Sequence, residues 1–210
     1  MDLALLVLRL VVGLFFAGHG AQKLWGAFGG HGPQGTAQFF ESLGIRPGMR
    51  NALAAGWSEF LGGALLALGL LSPVGALLII ATMTVAILSV HAKNGPWVTD
   101  SGYEYNAVLI AASFVIAANP GSVSLDAALG LDSIHGTAFA LGTLVLGALG
   151  GLMALTVGRS GKAMGAPPTP TAGAVPVAPA APAAPAAVDP RFERTGDTTP
   201  GNPGIPADPR

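Results

Sequence analysis

The sequence predicts an all-α, polytopic membrane protein: a transmembrane four-helix bundle over residues 1–120, a loop and one additional transmembrane helix over 121–160, and a disordered Ala/Pro-rich tail over 161–210. Three observations lead there. Hydrophobic residues make up 51% of the 210 and charged ones 10%, with 31 glycines and a mean hydropathy of +0.59, which is the composition of an integral membrane protein. The apolar residues gather in runs long enough to cross a bilayer, bounded by Gly, Pro and Asn. Only Arg9, His19, Lys23, Glu59, His91 and Glu104 bring ionisable groups into or to the ends of those runs. A charge at the membrane centre costs about 2.5–3.5 kcal/mol on insertion scales, so such groups persist where they are paired, solvated or used.

The first span is expected at 3–25, interrupted by Arg9, His19 and Lys23. Met1 and Asp2 give no basic leader and no small-residue cleavage site ends the run, so it reads as a retained helix. The loop "AFGGHGPQG" that follows lacks the Gly-Lys-Ser/Thr ending of a phosphate loop and reads as a flexible surface turn. A second span over 52–71 meets a third over 74–91 at a tight turn made by Ser72 and Pro73. The fourth, 106–118, is stopped by Asn119, Pro120 and Gly121 and must draw Tyr103, Glu104 and Tyr105 toward the membrane to reach the length of a span. The fifth, 137–157, is fully apolar and carries Gly147 and Gly151, a small-xxx-small spacing suited to close helix contact.

With five crossings, Lys23, Arg46, Arg50, Lys93, Arg159 and Lys162 fall on one side and Asp2, Asp126 and Asp132 on the other. The positive-inside rule then places the N-terminus outside and the C-terminus in the cytoplasm. From about Gly165 the chain becomes Ala/Pro/Val/Thr repeats that no periodic apolar face survives, followed by "DPRFER" at 189–194. This is expected to be an extended disordered tether, with docking of a cytoplasmic partner around Phe192 as the sharper alternative. A net charge of −1 without a basic patch argues against nucleic acid, and the absence of cysteine excludes thiol–disulfide exchange and thiolate ligation by this chain.

On a helical wheel Arg9, Gly13, Phe16, Gly20 and Lys23 form one stripe with His19 beside it. Glu59 shares a face with Gly63 and neighbours Gly62, where a backbone or ligand can approach closely. Topology brings His19, Lys23, Glu59, His91 and Glu104 into one half of the membrane, while Arg9 lies about 21 Å of helix rise from Lys23. One reading is structural, an Arg9–Glu59 ion pair, with Lys23–Glu104 beside it, that fixes helix packing. The other is a pocket with donors (Arg9, His19, Lys23) and proton acceptors (Glu59, His91, Glu104), the combination that a quinone requires. A bis-histidine haem between His19 and His91 is disfavoured, and no four-ligand metal site is expected, since His31 and His135 lie elsewhere.

The segments "LRLVVGLFFAGHGAQKL" (8–24), "WSEFLGGALLALGLLSP" (57–73) and "VHAKNGPW…GYEYNAVLIAASFVIA" (90–117) together resemble the DoxX family of bacterial membrane proteins. Arg9, Gly13, Phe16, His19, Gly20 and Lys23 match its first motif, Glu59, Gly62 and Gly63 its second, and His91, Glu104 and Tyr105 the rest. The resemblance implies a four-helix core in the bacterial inner membrane and a quinone-linked oxidoreductase or oxidative-stress assembly with soluble redox partners. The expected sites are then Glu59, Glu104 and His91 for proton exchange, and Arg9, His19, Lys23, Gly62 and Gly63 for binding menaquinone or ubiquinone. The fifth helix and the tail depart from the family pattern and read as partner-docking additions. A non-catalytic anchor for a soluble enzyme is the alternative, and a small-solute transporter is disfavoured because neither inverted repeats nor broken helices are evident.

Overall fold

The computed structural model describes residues 2–161, so the expectation of a disordered tail falls on residues outside the described range. The described residues form α1 (Asp2–Trp25), α2 (Gly32–Ser42), α3 (Gly48–Leu68), α4 (Ser72–Ala86), α5 (Glu104–Ala118), the single turn α6 (Leu125–Ala128) and α7 (Thr137–Ser160), with no strand among them. The five expected spans are α1, α3, α4, α5 and α7. By length and composition, Asp2–Trp25, Ser72–Asn94 and Thr137–Ser160 are able to cross a membrane, and α5 is a shorter apolar helix. α3 has 21 residues, enough to span, and carries Glu59 in its middle. Large apolar side chains on the outer faces of α1 and α7, such as Leu3, Leu14, Phe15, Leu146 and Met153, are more than half exposed. This inside-out pattern belongs to a helix bundle solvated by lipid, and the chain is a membrane protein.

Small residues set the packing. α1 and α3 form the most extensive helix pair, and their backbones nearly touch. A Cβ added at Gly20 would lie 2.7 Å from Phe60 Cα, and one at Gly63 would lie 2.9 Å from Phe16 Cβ. Gly13 and Gly20 of α1 thus meet α3 around Gly63 and Gly56, an antiparallel register with one glycine every seven residues on each helix. The same logic joins α3 to α4, where a Cβ at Gly62 would sit 3.1 Å from Gly75 O. Gly62 and Gly63 therefore serve helix crossings, where backbone and side-chain atoms of α4 and α1 approach them closely.

α7 is built into the bundle rather than appended to it. Its buried residues Ala140, Thr143, Gly147, Gly151, Leu155 and Gly158 recur at three- and four-residue steps. A Cβ at Gly147 would lie 2.9 Å from Ile80 Cβ, and one at Gly151 would lie 2.9 Å from Thr84 Cβ. α7 runs alongside α4, and the Arg46 amide donates to Gly158 O at 2.7 Å, tying the α2–α3 connection to the end of α7. One face of helix five thus has a packing role within the bundle.

The stretch read as a flexible turn is ordered. Ala27–Gly29 forms a 3₁₀ turn, and α2 begins at Gly32 with Pro33 in its first turn, where a missing N–H and a fixed φ suit a helix start. The glycines of "AFGGHGPQG" conceal that start. α2 buries Thr36 and Ala37 and packs against α3. At the same end of the bundle Trp25, Trp57 and Phe60 stack edge to face, with ring centroids 5.0 to 6.1 Å apart. Trp25 and Trp57 are exposed, as expected of side chains at a membrane–water boundary.

Candidate functional site

The glycine seam sets which charges meet. Because Gly20 faces Phe60 and Gly56, Glu59 lies level with the end of α1 that carries His19 and Lys23. Lys23 Nζ donates to Glu59 Oε2 at 2.5 Å, with Glu59 buried and Lys23 half-buried. The expected Arg9–Glu59 and Lys23–Glu104 pairs are not formed. Arg9 sits at the level of Gly69, toward the far end of α3. Helix-rise arithmetic left the register between α1 and α3 free, whereas the seam fixes it.

Around this pair the helices part to leave a cavity of about 510 Å³, within the size range of small-molecule and cofactor sites. Phe16, Phe40, Leu43, Met83, Leu109 and Leu155 supply apolar wall. His19, Lys23, Glu59 and His91 line it, so four of the candidate residues converge. Arg9, Gly62, Gly63 and Glu104 do not line it, although Tyr105 and Asn106, the two residues after Glu104, do. Residues of α2 and α7 close two of its sides, and neither helix was credited with a part in the site from sequence.

Hydrogen bonding assigns the imidazole protons. His91 Nδ1 lies 2.7 Å from Ser101 O, and a carbonyl can only accept, so Nδ1 carries the hydrogen and Nε2 is left as a lone pair in the neutral ring. His19 Nδ1 is likewise 3.1 Å from Gln22 Oε1, whose own amide nitrogen donates to Phe28 O at 3.4 Å. His91 ends a π-helical turn, Ile87–His91, that prolongs α4. Such a turn inserts one residue into the helical ladder and is frequent at functional sites. It brings Ser89, Val90 and His91 to the cavity.

A second polar cluster occupies the opposite end of the bundle. Arg9, 1% exposed, donates from Nη1 to Pro120 O at 2.8 Å and from Nη2 to Val123 O at 2.5 Å. Asp126, fully buried, accepts from Leu71 N at 2.6 Å, Ser72 N at 3.0 Å and Ser72 Oγ at 2.7 Å. Its carboxylate thereby caps the first turn of α4 from 54 residues away in sequence. His135 Nε2 lies 3.2 Å from Asp126 Oδ2, within ion-pair distance but without hydrogen-bond alignment. Gly69 joins the two charges. Its carbonyl accepts from Asp126 N at 2.7 Å. Its φ of +61° suits a residue without Cβ, and a Cβ there would sit 2.8 Å from Arg9 Cζ. This cluster acts as a latch holding the 119–136 segment to the bundle. From sequence alone Asp126 and His135 fall in a loop on the far side, and nothing in the local pattern points to a partner for either.

The DoxX family model matches residues 4–92, which span α1 through the π-helical turn and include His19, Lys23, Glu59 and His91. A protein of Bacillus subtilis (strain 168) named "Putative oxidoreductase CatD" is 32% identical over 108 residues, covering 51% of this chain and 74% of that protein. No solved structure matches the chain.

Proposed function

Because the chain belongs to the DoxX family, we propose that it is the quinone-facing membrane subunit of a redox or oxidative-stress assembly, with the cavity beside Lys23 and Glu59 as its quinone site. The observation that carries this reading is the polar set of the cavity. A buried carboxylate–ammonium pair and two imidazoles whose Nε2 atoms have no partner among the described residues converge on an otherwise apolar space of about 510 Å³. The Lys23 ammonium suits a quinone carbonyl oxygen, the imidazole Nε2 lone pairs suit the hydroxyl hydrogens of the reduced ring, and the walls suit the apolar ring and tail. Bound there, a quinone would supply two-electron, two-proton redox chemistry.

Each residue then has a defined task. Lys23 gives one N–H to Glu59 and retains two, which a carbonyl oxygen at the cavity can accept. Glu59 holds the ammonium in place and exchanges protons through it. His91, fixed by Ser101 O, accepts or returns a proton at Nε2, and His19 does so nearer the boundary. The oxidoreductase name of the B. subtilis relative points to the same chemistry. Arg46, Arg50, Lys93 and Arg159 lie at the cavity end of the bundle and Asp2, Asp126 and Asp132 at the other, which supports placing the cavity near the cytoplasmic face of a bacterial inner membrane. The tail beyond Gly165 would tether a soluble redox partner there.

The test is co-purification. Menaquinone or ubiquinone should accompany the wild-type protein and fall at least about tenfold in Lys23→Ala and Glu59→Gln variants that remain folded. Equal quinone content in all three proteins contradicts the reading and leaves the anchor role in its place.

A further inference from the structure

Asn106 is a buried amide with a weak partner at the wall of the cavity. It lies in the first turn of α5, lines the cavity and is 5% exposed. Its side chain makes one hydrogen bond among the described residues, from Nδ2 to Met83 Sδ at 3.3 Å. A thioether is a weak acceptor, so Nδ2 lacks a full-strength partner, while Oδ1 has no hydrogen bond among the described residues and keeps some accessible surface. Thr82 Oγ1, Ser89 Oγ and Asn51 Nδ2, which also line the cavity, donate to backbone carbonyls: Leu78 O at 2.8 Å, Val85 O at 2.6 Å and Pro47 O at 2.8 Å. Asn106 Nδ2 has no such acceptor among the described residues.

Burying an under-satisfied amide is unfavourable, and an apolar residue of similar size would stabilise the α4–α5 contact. Met83 is also a poor reason for an asparagine, because its flexible thioether packs equally well against leucine. Accordingly, we propose that Asn106 is a ligand-positioning residue: its amide grips one polar edge of a flat ring from the α5 wall, while Lys23 and Glu59 hold the other edge from the α1–α3 wall. The proposal rests on the quinone reading and adds a restriction to it. A site with polar grips on two walls selects a ring bearing oxygens on opposite edges, whereas a lipid headgroup followed by acyl chains would engage one wall alone. Met83 Sδ then acts as the partner that Nδ2 leaves when the ring arrives.

The experiment is equilibrium binding of decylubiquinone and menaquinone-4 to the full-length protein in lipid nanodiscs, with thermal unfolding of the same samples. Asn106→Leu is expected to bind about tenfold more weakly than wild type while unfolding at an equal or higher temperature. Asn106→Ala gives the same affinity readout should leucine not be accommodated. Wild-type affinity in the Asn106 variants, together with a lower unfolding temperature, would overturn the proposal by showing the amide to be structural. Absence of binding by the wild type itself would remove the quinone reading and this one with it, an outcome distinct from binding that ignores Asn106.

Discussion

Asp126→Ala is expected to destabilise the bundle by about 3–5 kcal/mol, the range found when one partner is removed from a buried charged network. The carboxylate accepts three hydrogen bonds at the start of α4, at 2.6, 3.0 and 2.7 Å. Hydrogen bonds to a charged acceptor are worth about 1.5–3 kcal/mol each, and their loss also strands the buried amide and hydroxyl of Ser72. Arg9 would suffer as well, since Pro120 O and Val123 O, the two carbonyls that hold its buried guanidinium, lie in the segment that Asp126 fastens to the bundle. Asp126→Asn keeps the shape and part of the hydrogen bonding, so it should fall between alanine and wild type. Thermal unfolding in detergent checks the order. Alanine unfolding at the wild-type temperature would show that the latch is dispensable.

The second large effect concerns Lys23 and Glu59. Lys23→Met leaves Glu59, 5% exposed, as an uncompensated buried carboxylate and should cost about 3–5 kcal/mol. Adding Glu59→Leu should recover most of that loss, because apolar residues of similar volume often replace a buried pair without penalty. The double variant is thus expected to be far more stable than the sum of the single changes, a coupling of the kind contacting residues show. Its quinone content should stay as low as that of the single variants. This divergence separates the two roles of the pair. If the double variant regains both stability and quinone, the pair only fastens α1 to α3.

Much of this architecture is legible in the sequence, for reasons that can be named. The apolar runs and their Gly/Pro boundaries locate all five long helices. The stripe of Gly13, Phe16, Gly20 and Lys23 identifies the inward face of α1, since each of these residues meets or lines what α3 presents. Convergence of His19, Lys23, Glu59 and His91 follows from up-and-down topology alone. The pairing of charges does not follow, because a glycine seam fixes the α1–α3 register to a precision that helix rise cannot supply. α2 is hidden by the glycines around Pro33, which look like a turn until Thr36 and Ala37 are seen to pack. The latch is hidden by distance. Asp126 meets Ser72, and Arg9 meets Val123, across 54 and 114 residues in segments whose local pattern reads only as loop. Asn106 marks the beginning of an apolar run, and only its weak partner, Met83, distinguishes it from a helix-start residue.

The measurement that bears most directly on the central claim is an experimental structure of the full chain in a native-lipid nanodisc. Planar density is expected in the cavity between Lys23 and Asn106, within hydrogen-bond reach of both, and with a tail leading into the bilayer. A cavity holding only an acyl chain that bypasses Lys23, Glu59 and Asn106 would contradict it.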